Sequence, residues 1–203
     1  MGQTTAEKII ANAAGQESVQ VGDIVTCAVD LAMIHDSGGP RRIKPAMEKL
    51  GVGVWDPAKI VLVSDHFAPC TDAESANILK LTREWAAEHK IANFYDQQGI
   101  CHVVTPERGH LRPGMFAVGG DSHSPTGGAF GSYMFGIGAT DMLGVLVTGE
   151  TWIKVPDTIR IIWTGSFGEG VAAKDMALKM SATLGMDGGG YQAVQYSGDN
   201  IEN

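Results

Sequence analysis

The spacing of apolar and polar residues changes period several times along the chain, and each change marks an element. The opening segment predicts a helix, with Thr4 and Glu7 set as a capping box and Gly15 placed to end it. From Ile24 the period falls to two: Val25, Cys27, Val29 and Leu31 alternate with polar or small residues, as in a half-buried strand. That strand runs into His35-Asp36-Ser37-Gly38-Gly39-Pro40, a turn rich in chain breakers, and a short helix is expected over Lys44–Leu50. Lys59–Asp65 is a compact apolar run, predicting a buried strand whose carboxyl end delivers Asp65 and His66. Thr71 and Glu74 form a second capping box, opening an amphipathic helix that continues to His89. Asn93–Asp96 and Ile100–Val104 read as short strands, and Met115–Gly119 as a buried one with Asp121-Ser122-His123 just past its end. A glycine-rich loop, Gly127–Gly138, leads to a helix over Thr140–Gly149. Thr158–Trp163 reads as a strand, Lys174–Leu184 as a helix and Tyr191–Tyr196 as a last strand. Strands and helices alternate throughout, which predicts an α/β fold. Without internal repeats or a linker, the chain reads as one domain or one large piece of a larger protein.

Composition narrows the function classes. Of 203 residues, 44% are hydrophobic and 19% charged, as in a globular protein with a sizeable core. The net charge of −8 and the lack of a basic stripe argue against nucleic-acid binding. The one dense basic cluster, Gly39–Lys44, reads as a solvated turn. Anionic substrates stay open, since a site can be locally positive inside an acidic protein. Cys27, Cys70 and Cys101 include no Cys-x-x-Cys pair, which argues against a disulfide framework and for a reducing, cytoplasmic setting. No apolar run approaches the roughly 20 residues of a membrane span, and no signal core opens the chain. No membrane partner is therefore expected.

Four polar motifs fall at strand ends or turns: His35-Asp36, Asp65-His66, His102 and Asp121-Ser122-His123. Open α/β sheets bind ligands at the carboxyl ends of their strands. A carboxylate beside an imidazole favours one tautomer and raises basicity, giving a proton donor or acceptor near neutral pH. Each motif also has a plainer reading. His35-Asp36 suits an Asx turn, Asp65-His66 a helix cap, and His102 a satisfied core histidine. Asp121-Ser122-His123, between a buried strand and a glycine loop, fits the plain reading least. His89 and His110 read as surface residues. The glycine loop matches neither a P-loop nor a dinucleotide fingerprint, so close approach of backbone to a ligand or neighbouring element is its expected use. A nucleophile elbow is absent, which leaves serine covalent catalysis unsupported.

The run Gly119–Gly128, centred on Asp121-Ser122-His123-Ser124, resembles a motif of the aconitase superfamily. Asp23–Pro40, Lys59–Pro69, Gly99–Pro113, Thr148–Pro156 and Gly170–Tyr196 are similar, in order, to successive segments of isopropylmalate dehydratase large subunits. The resemblance implies a three-layer aconitase-like domain with a mainly parallel sheet between helices. It also implies dehydration and rehydration of a hydroxylated di- or tricarboxylic acid, with a 4Fe-4S cluster as Lewis acid in the complete enzyme. On the matching positions, Asp65 and His66 are the pair that protonates the departing hydroxyl, and His102 borders the site. Asp121 and His123 hydrogen-bond the hydroxyl or water. Substrate contacts are expected from His35, Asp36, Ser122 and Gln195.

Two departures from the family pattern matter. The family's cluster is held by a lone cysteine and a Cys-x-x-Cys in the later part of the large subunit, and none of the three cysteines here matches. No metal ligand is therefore expected in this chain, and alone it should be inactive. Gln195 stands where relatives carry Glu, and an amide cannot hold the charge or take a proton. The resemblance further implies a swivel domain, often a small subunit, that supplies a serine base. Residues 1–203 read as the amino-terminal aconitase-like region of a longer large subunit. Two other readings stand beside this one: a cluster-free metal hydrolase using these histidines and aspartates, and an inactive carboxylate-binding or assembly subunit.

Overall fold

The two apolar runs read as buried strands lie in one sheet, with Leu31–His35 between them. The computed structural model describes residues 2–185 and 187–202. Its central sheet contains β2 (Leu31–His35), β3 (Ile60–Ser64), β4 (Asn93–Asp96), β5 (Phe116–Gly119) and β6 (Tyr133–Gly136), following β1 (Ile24–Ala28). The five strands β2 to β6 are all parallel, in the order β4-β3-β2-β5-β6. The chain thus winds outward in both directions from the β2–β5 pair. The carboxyl ends of such a pair form the crevice where open α/β sheets take ligands.

Burial on both faces explains why the strands read as unbroken apolar runs. Ala32, Ile34, Ile60, Leu62, Phe116 and Val118 share a core with Ile10 of α1 (Thr5–Ala13) and with Ile43 and Met47 of α2 (Pro40–Leu50). Trp85 of α3 (Ala73–Glu88) and Met142 and Leu146 of α5 (Ala139–Thr148) complete that layer. The alternate residues Met33, Val61, Val63 and Ala117 pack the other way, against Leu111, Met134 and Cys101 of α4 (Cys101–Glu107). Helices therefore cover the sheet on either side.

Several sequence expectations change. The Thr4–Glu7 capping box is present. On α3 the box is Asp72 with Ser75, one residue along from Thr71 and Glu74; Asp is the stronger N-cap of the two. The Val25–Leu31 alternation divides into two strands. β1 pairs antiparallel with β7 (Glu150–Lys154), a strand not foreseen, while β2 joins the parallel sheet. Ile100–Val104 is not a strand. The Asp65 carboxylate accepts the Cys101 N–H at 2.7 Å, occupying one of the free amides of a helix start, and α4 begins there. The basic run at Pro40 is the first turn of α2 rather than a solvated turn, with proline in the position where a helix tolerates it. The glycine-rich loop overlaps a 3-10 segment, Ser124–Phe130, and includes β6.

Past β7, the strands β8 (Thr158–Ile162) and β9 (Ala193–Ser197), joined through α6 (Ala173–Leu184), make a separate two-stranded parallel sheet. Here α6 buries no residue, and Phe167, Leu178, Tyr191, Val194 and Tyr196 are exposed. Among the described residues no helix is long and apolar enough to cross a membrane.

Candidate active site

The sheet order brings the Asp–His motifs to one edge. His35 ends β2 and Asp36 follows it; Asp65 and His66 follow β3; Asp121 lies just past β5; His102 stands on the first turn of α4. His35 and Asp121 thus sit on the two strands that flank the crevice, with His35 Nε2 3.7 Å from Asp121 Oδ2.

On the β3 side, His66 Nδ1 meets Asp65 Oδ1 at 2.6 Å, and Asp65 Oδ2 accepts the Cys101 N–H. Both oxygens of Asp65 are engaged, which fixes the imidazole and points its proton-bearing Nδ1 inward. Nε2 is then the working nitrogen on a side chain that is 39% exposed. Beneath it Asp36 is fully buried. Its Oδ1 accepts the His66 N–H at 3.2 Å and its Oδ2 the Phe67 N–H at 3.1 Å.

His35 stacks on His66 with ring centroids 4.2 Å apart and planes 18° from parallel. The Gly38 N–H donates to His35 Nδ1 at 3.3 Å, and the Ser37 hydroxyl lies 2.9 Å from the same nitrogen. An amide can only donate, so the ring proton belongs on Nε2, which is buried without a partner among the described residues. Burial above all, and then the neighbouring His66, lowers the His35 pKa below that of a free imidazole and keeps the ring neutral.

On the β5 side, His102 Nε2 lies 2.9 Å from Asp121 Oδ2. Asp121 Oδ1 accepts the His123 N–H at 3.0 Å and the Ser124 hydroxyl at 3.2 Å. Burial opposes ionisation of Asp121, but the His102 hydrogen bond and charge, with the His123 amide and His35, outweigh it and hold the carboxyl below its ordinary range. Glycine permits this turn: a Cβ at Gly136 would overlap the Asp121 carbonyl, and one at Gly119 would overlap the Ser124 hydroxyl. The glycine loop therefore serves close backbone approach, to a neighbouring element. His123 itself is 78% exposed, its ring 5.8 Å from that of His102.

Other predicted positions lie differently. Asp36 is inaccessible and its carboxylate is occupied by backbone, so it cannot touch a substrate as it stands. Ser122 is exposed beside the cluster. Gln195 sits on β9 in register with Arg160, in the separate sheet. His89 packs its ring on Trp85, and His110 meets the Tyr95 hydroxyl at 2.6 Å; both are half-buried rather than surface residues. Sequence reading missed Ser124 as a partner of Asp121, although its spacing three residues after an Asp suits a local turn. It also missed Ser37 and Gly38 as the groups that set the His35 tautomer.

The cysteines do not suit an iron–sulfur cluster. Cys27 lies in the core beneath the Ile10 carbonyl, burial pushing its thiol up to about 11. Cys101 is buried under the opposite face, its thiol raised further, mainly by burial, and Cys70 is exposed. Three thiols so dispersed form no common ligand set. Ligand atoms of His35, His66 and Asp121 do lie within 4.8 Å of one another, as do those of Cys101, His102 and Asp121 and those of Asp36, Asp65 and His66. Yet His35 Nε2 carries its proton and offers no lone pair, a neutral thiol is a poor ligand, and the Asp36 and Asp65 carboxylates already accept backbone N–H groups.

A family model described as aconitase (aconitate hydratase) matches residues 7–203. The chain is 47% identical over 203 residues to the 3-isopropylmalate dehydratase large subunit 1 of Methanopyrus kandleri, covering 99% of this chain and 48% of that protein. It is 46% identical over 201 residues to a probable methanogen homoaconitase large subunit of Methanothermobacter thermautotrophicus, covering 97% and 47%. Against the 3-isopropylmalate dehydratase large subunit of Aquifex aeolicus the identity is 40% over 205 residues, covering 100% and 47%. The chain spans about half the length of these relatives.

Proposed function

The chain belongs to the aconitase family, and from that membership and the crevice geometry we propose that it carries the acid–base half of a hydro-lyase acting on a hydroxylated di- or tricarboxylic acid. The observation that carries this reading is the exposed His66 imidazole, pinned through Nδ1 by Asp65 and facing the Asp121–His102 pair across the β2–β5 crevice. In the dehydrating direction the doubly protonated His66 ring, its Nδ1–H held by Asp65, gives its Nε2 proton to the oxygen of the departing hydroxyl and is left neutral. Asp121, held by His102 and by the His123 amide, orients that oxygen, and the exposed His123 ring borders it. His35, neutral and buried, supports the His66 ring by stacking on it. The group that takes the carbon-bound proton belongs to the swivel part that the resemblance implies, and so do further substrate contacts. The cluster's ligands are not among this chain's cysteines, so no step here runs through it. Domain boundaries follow the same reading: residues 1–203 form the amino-terminal region of a larger large subunit working in the cytoplasm with a small swivel-domain subunit.

The proximity of three possible ligands favours, as a second reading, a divalent-metal hydrolase. The His35 tautomer argues against it, as do the backbone amides that already occupy the Asp36 and Asp65 carboxylates. Histidine-resolved NMR of the chain separates the two. Under our reading, adding a hydroxylated dicarboxylate shifts the His66, His102 and His123 ring signals and leaves His89 and His110 in place. Stoichiometric zinc binding that moves His35 and His66, with no response to the hydroxy acid, favours the hydrolase. No response to either ligand leaves the assembly subunit.

A further inference from the structure

We propose that Asp36 is a positioning residue for His66, acting entirely through backbone, and that it takes no part in substrate binding. The turn that follows β3 has no regular structure to hold it, yet it carries the exposed imidazole at its apex. What fixes that turn is a carboxylate from the neighbouring strand. Asp36 Oδ1 accepts the His66 N–H at 3.2 Å and Oδ2 the Phe67 N–H at 3.1 Å. Two adjacent amides on two oxygens of one carboxylate define the plane of the turn as well as its height above the sheet. Asp36 is itself fixed, because its own N–H donates to the Val63 carbonyl at 3.1 Å and the residue is 0% exposed.

Side-chain contacts complete the clamp. Asp36 Oδ1 is 3.6 Å from His66 Nδ1, the nitrogen that Asp65 already engages, so both carboxylates lie on the inward side of the ring. The preceding residue, His35, covers one ring face of His66. On the outer side Phe67 lies under the Arg41 guanidinium, 5.4 Å from the ring centroid, which fixes the second tied residue from α2. The dipeptide His35-Asp36 is thus a seat for His66, and the burial of its acid is explained by the two amides it serves. A buried carboxylate needs such donors to stay charged at acceptable cost.

The test pairs amide exchange with steady-state kinetics, using Asp36→Asn and Asp36→Ala. In the unaltered chain the His66 and Phe67 amides exchange slowly although their turn lies at the surface. Asp36→Asn keeps one acceptor oxygen and turns an NH2 group toward the other amide, so one of the two speeds up about 10- to 100-fold. Asp36→Ala releases both, while Met33 and Val61 amides within the sheet keep their protection. For the activity arm, which alone rests on the hydro-lyase reading, the assembled enzyme loses about 10²-fold in kcat, the scale of a roughly 1 Å misplacement. KM changes little, because Asp36 does not reach the substrate. Unprotected His66 and Phe67 amides in the unaltered chain would overturn the proposal. So would protection lost throughout the sheet in both variants, which assigns Asp36 to the fold as a whole, or a raised KM with kcat kept, which assigns it to substrate. If the unaltered enzyme hydrates no substrate, the hydro-lyase reading fails while the exchange result still decides the role of Asp36.

Discussion

The tightest approach to backbone beneath the site is at Gly136, and replacing it with alanine tests the packing directly. Gly136 pairs with Gly119 in the β5–β6 register, and the chain crosses it at the Asp121 carbonyl. A Cβ there would overlap that carbonyl, and the obstacle is backbone that no rotamer change can clear. Overpacking of this kind costs about 1–3 kcal/mol, and a backbone obstacle places Gly136→Ala toward the upper end. At about 2–4 °C per kcal/mol for a protein of this size, Tm falls by roughly 4–12 °C. The displaced turn also pulls Asp121 from His102, so the His102 ring signal moves even where the variant stays folded. Gly144→Ala is the internal control: it lies within α5 with nothing inside 4 Å of the new Cβ. Alanine there recovers about 0.5–1 kcal/mol of helix preference, and Tm rises by roughly 1–4 °C. Calorimetry on the three proteins reads both signs. Gly136→Ala melting within about 1 °C of the unaltered chain, with the His102 signal unmoved, would refute the packing argument.

Other outcomes follow from burial and charge. His35, His89 and His110 are all lowered, chiefly by burial, so the fold favours their neutral forms. Their contribution is complete above the unfolded value of about 6.5 and is lost as pH falls from there through their folded values, so Tm declines between pH 7 and 5 and His35→Asn flattens part of that slope. Asp121, also lowered in the fold, adds a second loss only as pH drops below the ordinary carboxylate range, and an acid titration of Asp121→Asn lacks that portion. A thiol reagent modifies Cys70 at once, and Cys27 and Cys101 only after denaturation; fast reaction of all three would contradict the burial. The exposed apolar residues of α6 and β9 predict concentration-dependent self-association of the isolated chain, read by light scattering, against which a monodisperse monomer at high concentration would count.

Much of this was legible because local chemistry and tertiary placement agree. Strands β3 and β5 announce themselves as apolar runs since both sheet faces are covered, and polar Asp–His motifs follow them because the carboxyl edge is where the chain turns. What was not legible depends on partners far along the chain. Ile100–Val104 reads as a strand until Asp65, 36 residues before Cys101, is seen accepting the first amide of α4. The division of β1 from β2 depends on β7, whose pairing with β1 no local pattern announces. Asp36 is expected at the substrate on the strength of the resemblance, with an Asx turn as the plainer reading, and the amides it serves, those of His66 and Phe67, lie about 30 residues along the chain where no local pattern points. The stack of His35 on His66, and the reach of His102 to Asp121, likewise follow from the order of the strands rather than from any spacing in the sequence.

The central claim is that His66 is the proton donor of a hydro-lyase, and turnover of the assembled enzyme with His66→Ala tests it most directly. The reversible hydration of an unsaturated dicarboxylic acid is followed in the unaltered and substituted enzymes. The account predicts a fall in kcat of about 10²–10⁴-fold, the usual contribution of a general acid, with the fold intact. Turnover unchanged by His66→Ala would contradict it.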